Sequence, residues 1–282
     1  MSSSVSTPSR TVPPGRLQGG LRLSASERPA QPPLVSVISV VRNALPALQK
    51  TVQSVLAQDG ALVEYIVIDG VSNDGSREYL HSLGSQVHYW LSEEDRGIYD
   101  AMNKGIQAAR GKWIHFLNAG DVYDSPEFWA GLAPQLLQYD KSVVFCPVAT
   151  LIGAGKPLAH RGRRILYGGM PYCHQGILFR RDLFESLGLF DLNYRICSDY
   201  DWLIRYFQTP NAGLLSDYAI CGQHAVIFDT GGLSSLSFRQ REREVREIVR
   251  RHYGVSWQWA RCSVVSHARV IAKSALGLFG RA

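Results

Sequence analysis

The sequence predicts an α/β protein: a doubly wound, mostly parallel sheet, then a mixed half and C-terminal helices. Three observations carry this. Short apolar, β-branched runs recur at 34–41, 64–69, 87–91 and 112–117. Helically spaced apolar residues fill the intervals between them. The connections are short, and a β-α-β-α-β-α-β order joins parallel strands through helical crossovers.

Each element has a local cause. Leu34 to Val41 is almost unbroken in Val and Ile, the mark of a strand buried on both faces. Leu45, Leu48, Val52, Val55 and Leu56 then recur at helical spacing, with Pro46 suited to a first turn. Glu64 to Asp69 reads as a second strand. It stops at Gly70-Val71-Ser72-Asn73-Asp74-Gly75-Ser76, a polar turn ahead of a short helix. Val87 to Leu91 reads as a third strand, Ile98 to Arg110 as a helix stopped by Gly111, and Lys112 to Leu117 as a fourth strand ending in Asn118-Ala119-Gly120-Asp121. Beyond Asp121 the pattern is mixed.

Composition bounds the rest. With 282 residues, 45% of them hydrophobic, the chain can bury a core without staples. Met1 to Pro33 is rich in Ser, Pro, Gly and Arg and is expected to be a disordered lead over 1–33. It has no apolar core of a secretory signal, and the apolar stretch near 262–280 is broken by His267, Arg269 and Lys273, so neither is read as a membrane segment. Five cysteines without a CxxC pair fit a reduced, cytoplasmic compartment better than a disulfide framework or structural zinc.

Charge is segregated. Residues 34–235 carry 16 Lys/Arg against 20 Asp/Glu, net −4, whereas 236–282 carry 10 Lys/Arg against 3 Glu, net +7. An acidic central domain argues against nucleic acid as a partner. A basic tail has an anionic membrane surface as its natural partner. Within that tail, Arg241 to Glu247 alternates in sign as a salt-bridged exposed helix would. Arg261, Arg269 and Lys273 fall opposite Val264, Ala268, Ile271, Ala275 and Leu278. Such a helix either lies on an inner-leaflet surface or packs on the domain.

In open parallel sheets, ligands gather outside the carboxyl ends of the strands. Asp69 and Asp121 fall at two such ends, although Asp and Gly also serve simply as turn formers. Gly153-Ala154-Gly155-Lys156 lacks the upstream glycine of a phosphate loop and is read as a turn. No HExxH or GxSxG pattern occurs.

Several ordered blocks carry a resemblance: Val35 to Ser39, Ser54-Val55-Leu56-Ala57-Gln58, Ile68 to Ser76, Asp95 to Gly105, Ala109-Arg110-Gly111, and Phe116 to Asp121. A second stretch runs through His174-Gln175, Arg180-Arg181, Gly188 to Asp191 and Ser198-Asp199-Tyr200-Asp201. Together, over about two hundred residues, they resemble family-2 glycosyltransferases with the GT-A fold, and the Asp95–Gly105 block resembles the colanic-acid and exopolysaccharide branch.

The resemblance implies a sugar transferred from a nucleotide-diphosphate donor to a glycan or lipid-linked acceptor, with inversion. It divides the chain into a GT-A domain over 34–235 (nucleotide-sugar half 34–121, acceptor half 122–235) and a basic helical tail over 236–282. It assigns Asp69 to the nucleotide base, and Ser39, Arg42, Asp95, Asn103 and Asn118 to the nucleotide sugar. Asp121 would bind the divalent metal, Asp199 would be the catalytic base, and His174 and Gln175 would meet sugar hydroxyls. For the last pair, tying down a loop is an equal alternative. For Asp199 the alternative is capping the helix that follows it, and Arg161, Arg163 and Arg164 are either an acceptor-phosphate contact or a solvated run. Gly70, Asn118, Gly120 and Ser198 stand where the family commonly has acidic residues. One remaining carboxylate still suffices for Mg2+ or Mn2+, which take much of their shell from phosphates and water.

Two rivals remain. A nucleotidyltransferase would need a Gly-rich basic loop after the first strand, where this chain has Val41-Arg42-Asn43-Ala44-Leu45. A non-catalytic sugar-nucleotide-binding assembly protein fits the lost acidic positions but not the retention of Asp121 together with Asp199.

Overall fold

The computed structural model describes residues 15–24, 32–58, 62–152, 156–160, 169–170, 172–210, 218–222, 225–228 and 237–275. The expected alternation is present: β2 (Val35–Val41), α1 (Leu45–Leu56), β3 (Val63–Asp69), α2 (Ser76–Leu83), β4 (Tyr89–Ser92), α3 (Ile98–Ala108) and β5 (Trp113–Phe116). The third strand is shifted two residues toward the C-terminus of its expected start. Strands β4, β3, β2 and β5 are adjacent and mutually parallel, in that order. The chain therefore winds outward from β2 in both directions, the doubly wound pattern.

The second half extends the same sheet through one reversed strand. β10 (Ile177–Arg180) runs antiparallel to β5, followed by β7 (Val143–Phe145) and β11 (Tyr218–Ile220). A smaller sheet joins β6 (Val122–Tyr123), β12 (Val226–Phe228), β8 (Val148–Ile152) and β9 (Lys156–His160). Lys156, the last residue of the rejected phosphate loop, opens β9; its three neighbours 153–155 lie outside the described residues, as do Arg161, Arg163 and Arg164.

Helices cover both faces of the large sheet, which is why β2 and β3 are fully buried and mostly apolar, with Ser36, Ser39, Glu64 and Asp69 as their buried polar residues. On one face Val37, Tyr65 and Val67 meet Leu48, Val52 and Val55 of α1 and Trp129 and Leu132 of α4 (Phe128–Gln138). On the other, Ile38, Ile66 and Phe116 meet Met102 and Ile106 of α3. Trp202 and Leu203 of α6 (Ser198–Phe207) join them, beside Phe184 of the short α5 (Asp182–Ser186). Gly111 lets α3 return close to β2: a Cβ there would stand 2.6 Å from the Ser36 backbone nitrogen.

The lead corrects an expectation. Residues 15–24 are ordered within the fold: β1 (Leu17–Gly19) pairs antiparallel with β4, and Arg22 forms an ion pair with Glu64, a carboxylate buried in β3. Glu64 also accepts from Ser36 Oγ, Arg110 N–H at 2.5 Å and Gly111 N–H at 3.1 Å. A buried carboxylate demands such partners, and Arg22 supplies the opposite charge.

The tail forms α7 (Phe238–Tyr253) and α8 (Trp257–Ala275). Two expectations change here. The alternating run on α7 is not wholly exposed, since Glu242 and Glu244 are buried with Val245, Ile248 and Val249 against α6 and α8. On α8 Arg261 changes sides: Cys262 and Ser266 point inward and Arg269 turns toward Glu242 at 3.9 Å, opposite Val264 and Ile271, but Arg261 is exposed together with Trp257, Val264 and Ile271, which point out at 60%, 70% and 68% exposure. The side chains of Lys273 and Ala275, and all of Leu278, lie outside the described residues. Among the described residues, no helix is long and apolar enough to cross a membrane.

Candidate active site

The parallel strands β2, β3, β4 and β5 end on one edge, and the segments leaving them carry the candidates. The turns after β2 and β3 hold Asn43 and Val71 in the left-handed backbone region, at φ 50° and 57°. For a β-branched residue that is strain. It is offset by cross-ties: Asn43 N–H to Ser72 Oγ at 2.7 Å, Asn73 N–H to Asn43 Oδ1 at 2.8 Å, and Leu45 N–H to Asp74 Oδ2 at 2.8 Å.

Asp69 closes β3 and is fully buried. Its Oδ2 accepts from Ser92 Oγ at 2.6 Å and Ser72 N–H at 3.1 Å, while Oδ1 is buried without a hydrogen-bond partner. A buried acceptor left open is costly, so it marks a place for a ligand donor. Beside it, a Cβ on Gly70 would stand 2.2 Å from Asp95 Oδ2 and 3.3 Å from Arg42 Cδ. The acidic side chain absent at 70 thus leaves room that the Asp95 carboxylate occupies. Asp69, Asp95 and Arg42 are together at this end of the edge.

Asp121 follows β5, 3% exposed, in a turn that Thr51 of α1 ties down: Thr51 Oγ1 donates to the Asp121 carbonyl at 2.8 Å and accepts Gly120 N–H at 2.9 Å. In the same turn Asn118 Oδ1 is buried with no partner. Among the described residues no three His, Cys, Asp or Glu side chains form a metal-holding group. The oxygen donors of this turn, the Asp121 carboxylate and the open Asn118 amide oxygen, nonetheless suit a hard divalent cation that draws its other ligands from phosphate and water.

Asp199 lies in the first turn of α6. Its Oδ1 accepts from Tyr99 Oη at 2.9 Å and Tyr200 N–H at 2.8 Å. Burial pushes its carboxyl up from 3.8 to about 6, the hydrogen bonds from Tyr99 and Tyr200 opposing that rise. Tyr99 belongs to the first turn of α3, directly after β4, so this bond brings Asp199 to the edge that holds Asp69. Cys173 links it to Asp121: burial pushes that thiol up to about 12, and the charges of Asp121 and Asp199 both add to the rise. Asp201 points elsewhere, to Arg205 Nε at 3.0 Å and His252 Nε2 at 2.8 Å.

His174 Nδ1 stands 3.6 Å from Asp199 Oδ2. That distance is beyond hydrogen-bond reach, and burial holds the imidazole down at about 3, so the contact is between a neutral ring and a carboxylate and is not an ion pair. The ring is packed against Phe116, Phe179 and Phe190, and neither of its nitrogens has a hydrogen-bond partner.

Three candidates are engaged elsewhere. Ser39 is fully buried, donating to the Leu117 carbonyl at 2.5 Å and accepting from Tyr65 Oη at 3.0 Å, so it braces the turn that carries Asp121. Asn103 spends both ends of its amide on Phe190, joining α3 to the second half. Gln175 takes the Cys173 thiol on its side chain at 3.0 Å and His115 Nε2 on its carbonyl at 2.8 Å, which ties down a loop. Conversely, Tyr99, Thr51 and Glu244 were not singled out. Tyr99 lay within the Asp95–Gly105 block, whereas nothing in the alternating charge run marked Glu244.

Known proteins resemble this chain in sequence and in fold. An uncharacterised glycosyltransferase of Mycobacterium tuberculosis (strain CDC 1551 / Oshkosh) is 34% identical over 215 residues, covering 72% of this chain and 78% of that one. A glycosyltransferase of PGL/p-HBAD biosynthesis from Mycobacterium bovis (strain BCG / Pasteur 1173P2) is 29% identical over 223 residues, covering 72% and 80%. Among solved structures, S. aureus TarS 1-349 with UDP-GlcNAc aligns at a TM-score of 0.61 and 15% identity over 82% of this chain and 70% of that one. The mannosyltransferase PcManGT of Pyrobaculum calidifontis, with GDP-Man and Mn2+, aligns at 0.59 and 16% over 89% and 82%. These structures share the GT-A fold. The sequence profile described as Glycosyl transferase family 2 matches residues 36–204, and with that match spanning more than half of the sequence, this chain belongs to glycosyl transferase family 2.

Proposed function

We propose that the chain is an inverting glycosyltransferase that uses a nucleoside-diphosphate sugar as donor and Asp199 as the base that deprotonates the acceptor hydroxyl. The observation that carries this is Asp199 itself: a carboxylate held on Oδ1 by Tyr99 and Tyr200 N–H, with its pKa raised to about 6 and Oδ2 directed toward His174. A base of that strength is ionised at neutral pH yet accepts a proton more readily than an exposed carboxylate.

In this reading the acceptor oxygen attacks the anomeric carbon as its proton passes to Asp199 Oδ2. The bond to phosphate breaks on the opposite side, and the electron pair leaves with the nucleoside diphosphate. Asp69 Oδ1 accepts a ring N–H of the nucleotide base, with Asp95 and Arg42 beside it. Asp121 and Asn118 Oδ1 would hold a divalent cation, which when bound stabilises charge on the departing diphosphate. His174 offers its ring N–H to a sugar hydroxyl. TarS has been solved with UDP-GlcNAc and PcManGT with GDP-Man and Mn2+, which supports a donor of this class. A lipid-linked acceptor in glycan assembly suits the outward apolar face of α8 at an anionic membrane.

Asp199→Asn tests the reading. Transfer is expected to fall by about 10²–10⁴-fold while donor affinity, measured by calorimetry, stays within about 2-fold. Wild-type turnover in that variant would remove the base.

A further inference from the structure

The helix that carries the base starts without a side-chain cap: Cys197 occupies the cap position and makes no capping hydrogen bond. The amides leading into it are buried, with Ile196 and Cys197 only 8% and 5% exposed. Unpaired, they would be costly. One carboxylate takes all of them. Glu244 of α7, itself 4% exposed, accepts Arg195 N–H on Oε1 at 3.2 Å, and Ile196 and Cys197 N–H on Oε2 at 2.9 and 3.0 Å. Gln240, one turn earlier on α7, donates to Oε1 at 2.9 Å and fixes the carboxylate plane. The gripped segment in turn holds Tyr99, whose hydroxyl reaches the Ile196 carbonyl at 2.6 Å and Asp199 Oδ1 at 2.9 Å.

We propose that Glu244 is a positioning residue for the catalytic base: by clamping the Arg195–Cys197 backbone it fixes the Ile196 carbonyl, and through Ile196 and Tyr99 it sets where the Asp199 carboxylate points. The inference rests on reading Asp199 as the base. It makes α7 part of the catalytic apparatus even though no residue of α7 need touch a substrate. The groups facing Asp199 are Tyr99 from α3, Cys173 and His174 from the turn before β10, Cys197 at the start of its own helix, and Glu244 from α7. Burial is the main reason the Asp199 carboxyl is raised, and the negative charge of Glu244 adds to it. Removing that charge therefore moves the acid limb of activity toward lower pH, while a loss of kcat at unchanged donor Kd reports the positioning itself.

The experiment compares full-length Glu244→Gln with Asp199→Asn, reading kcat, donor Kd, melting temperature and the pH profile of kcat/KM. Glu244→Gln keeps the size but turns one acceptor oxygen into a donor facing N–H groups. The expected result is a kcat lower by about 10-fold or more, donor Kd within about 2-fold, and an acid limb displaced below that of the wild type. A lower melting temperature with kcat and acid limb unchanged overturns the proposal. If Glu244→Gln does not fold, Tyr99→Phe cuts the same link at its other end: kcat falls with donor Kd unchanged, and an unaltered kcat overturns the route through Tyr99. Wild-type turnover in Asp199→Asn removes the base reading itself; loss in Asp199→Asn with wild-type behaviour in Glu244→Gln removes this inference alone.

Discussion

At the scale of single residues, Asp199 shows how a site stores instability. Burial holds its folded pKa near 6, above the 3.8 of an ordinary aspartate. The folded state therefore binds the proton more tightly than the unfolded chain does. That contribution to stability is fully present below pH 3.8 and is lost as the pH rises through 6. At pH 8 the ionised group leaves the fold short of that contribution, by up to about 3 kcal/mol for a shift of roughly two units. Asp199→Asn keeps an oxygen to accept from Tyr99 but carries no charge. Its expected melting temperature at pH 8 is higher than that of the wild type, with the difference shrinking as both are titrated toward pH 4. Scanning calorimetry across that range checks it, and a variant less stable than wild type at pH 8 contradicts the account. The same residue would then supply transfer and cost stability, the trade expected of a buried functional carboxylate.

At the scale of elements, the parallel strands were legible because burial on both faces leaves a continuous β-branched signature, as in Val35-Ser36-Val37-Ile38 and Tyr65-Ile66-Val67-Ile68. The loops leaving them were legible as polar turns with Asp at the end. What those loops do with each other was not. Asp95 fills the space that glycine leaves at position 70, a relation between segments more than twenty residues apart. Gly70→Ala is accordingly expected to push the Asp95 carboxylate aside and weaken donor binding by about 10-fold, with a small change in melting temperature; calorimetric titration with sugar nucleotide measures it. The second half was less readable because β7 and β11 are three residues each and owe their pairing to distant partners. Arg22 looked like one basic residue of a disordered lead, since only the fold brings Glu64 to it. Glu244 looked identical to its exposed neighbours, because a helix with alternating charges does not announce which face is buried.

At the scale of the whole molecule, the question is why α8 turns its apolar side outward. A helix that served only to finish the core would bury Val264 and Ile271; here Cys262 and Ser266 face α7, and Trp257, Val264 and Ile271 form an exposed stripe at successive seven-residue intervals. Arg261 lies exposed on that stripe, and Arg243, Arg250 and Arg251 are exposed on the adjoining α7. Set against the net −4 of residues 34–235, the +7 of 236–282 would orient this end of the protein toward an anionic surface in the proposed reading. Bilayer contact would remove the three large apolar side chains from water, each worth about 1–2 kcal/mol, and would place the catalytic edge beside a lipid-linked acceptor. Replacing Trp257, Val264 and Ile271 together with serine is expected to lower sedimentation with anionic vesicles by about 10-fold or more, while leaving transfer to a water-soluble acceptor unchanged. High salt should weaken the wild type on anionic vesicles, and neutral vesicles should bind it poorly. If instead the wild type ignores vesicles and elutes as a dimer that the triple variant dissociates, the stripe is a subunit contact and the membrane assignment is wrong.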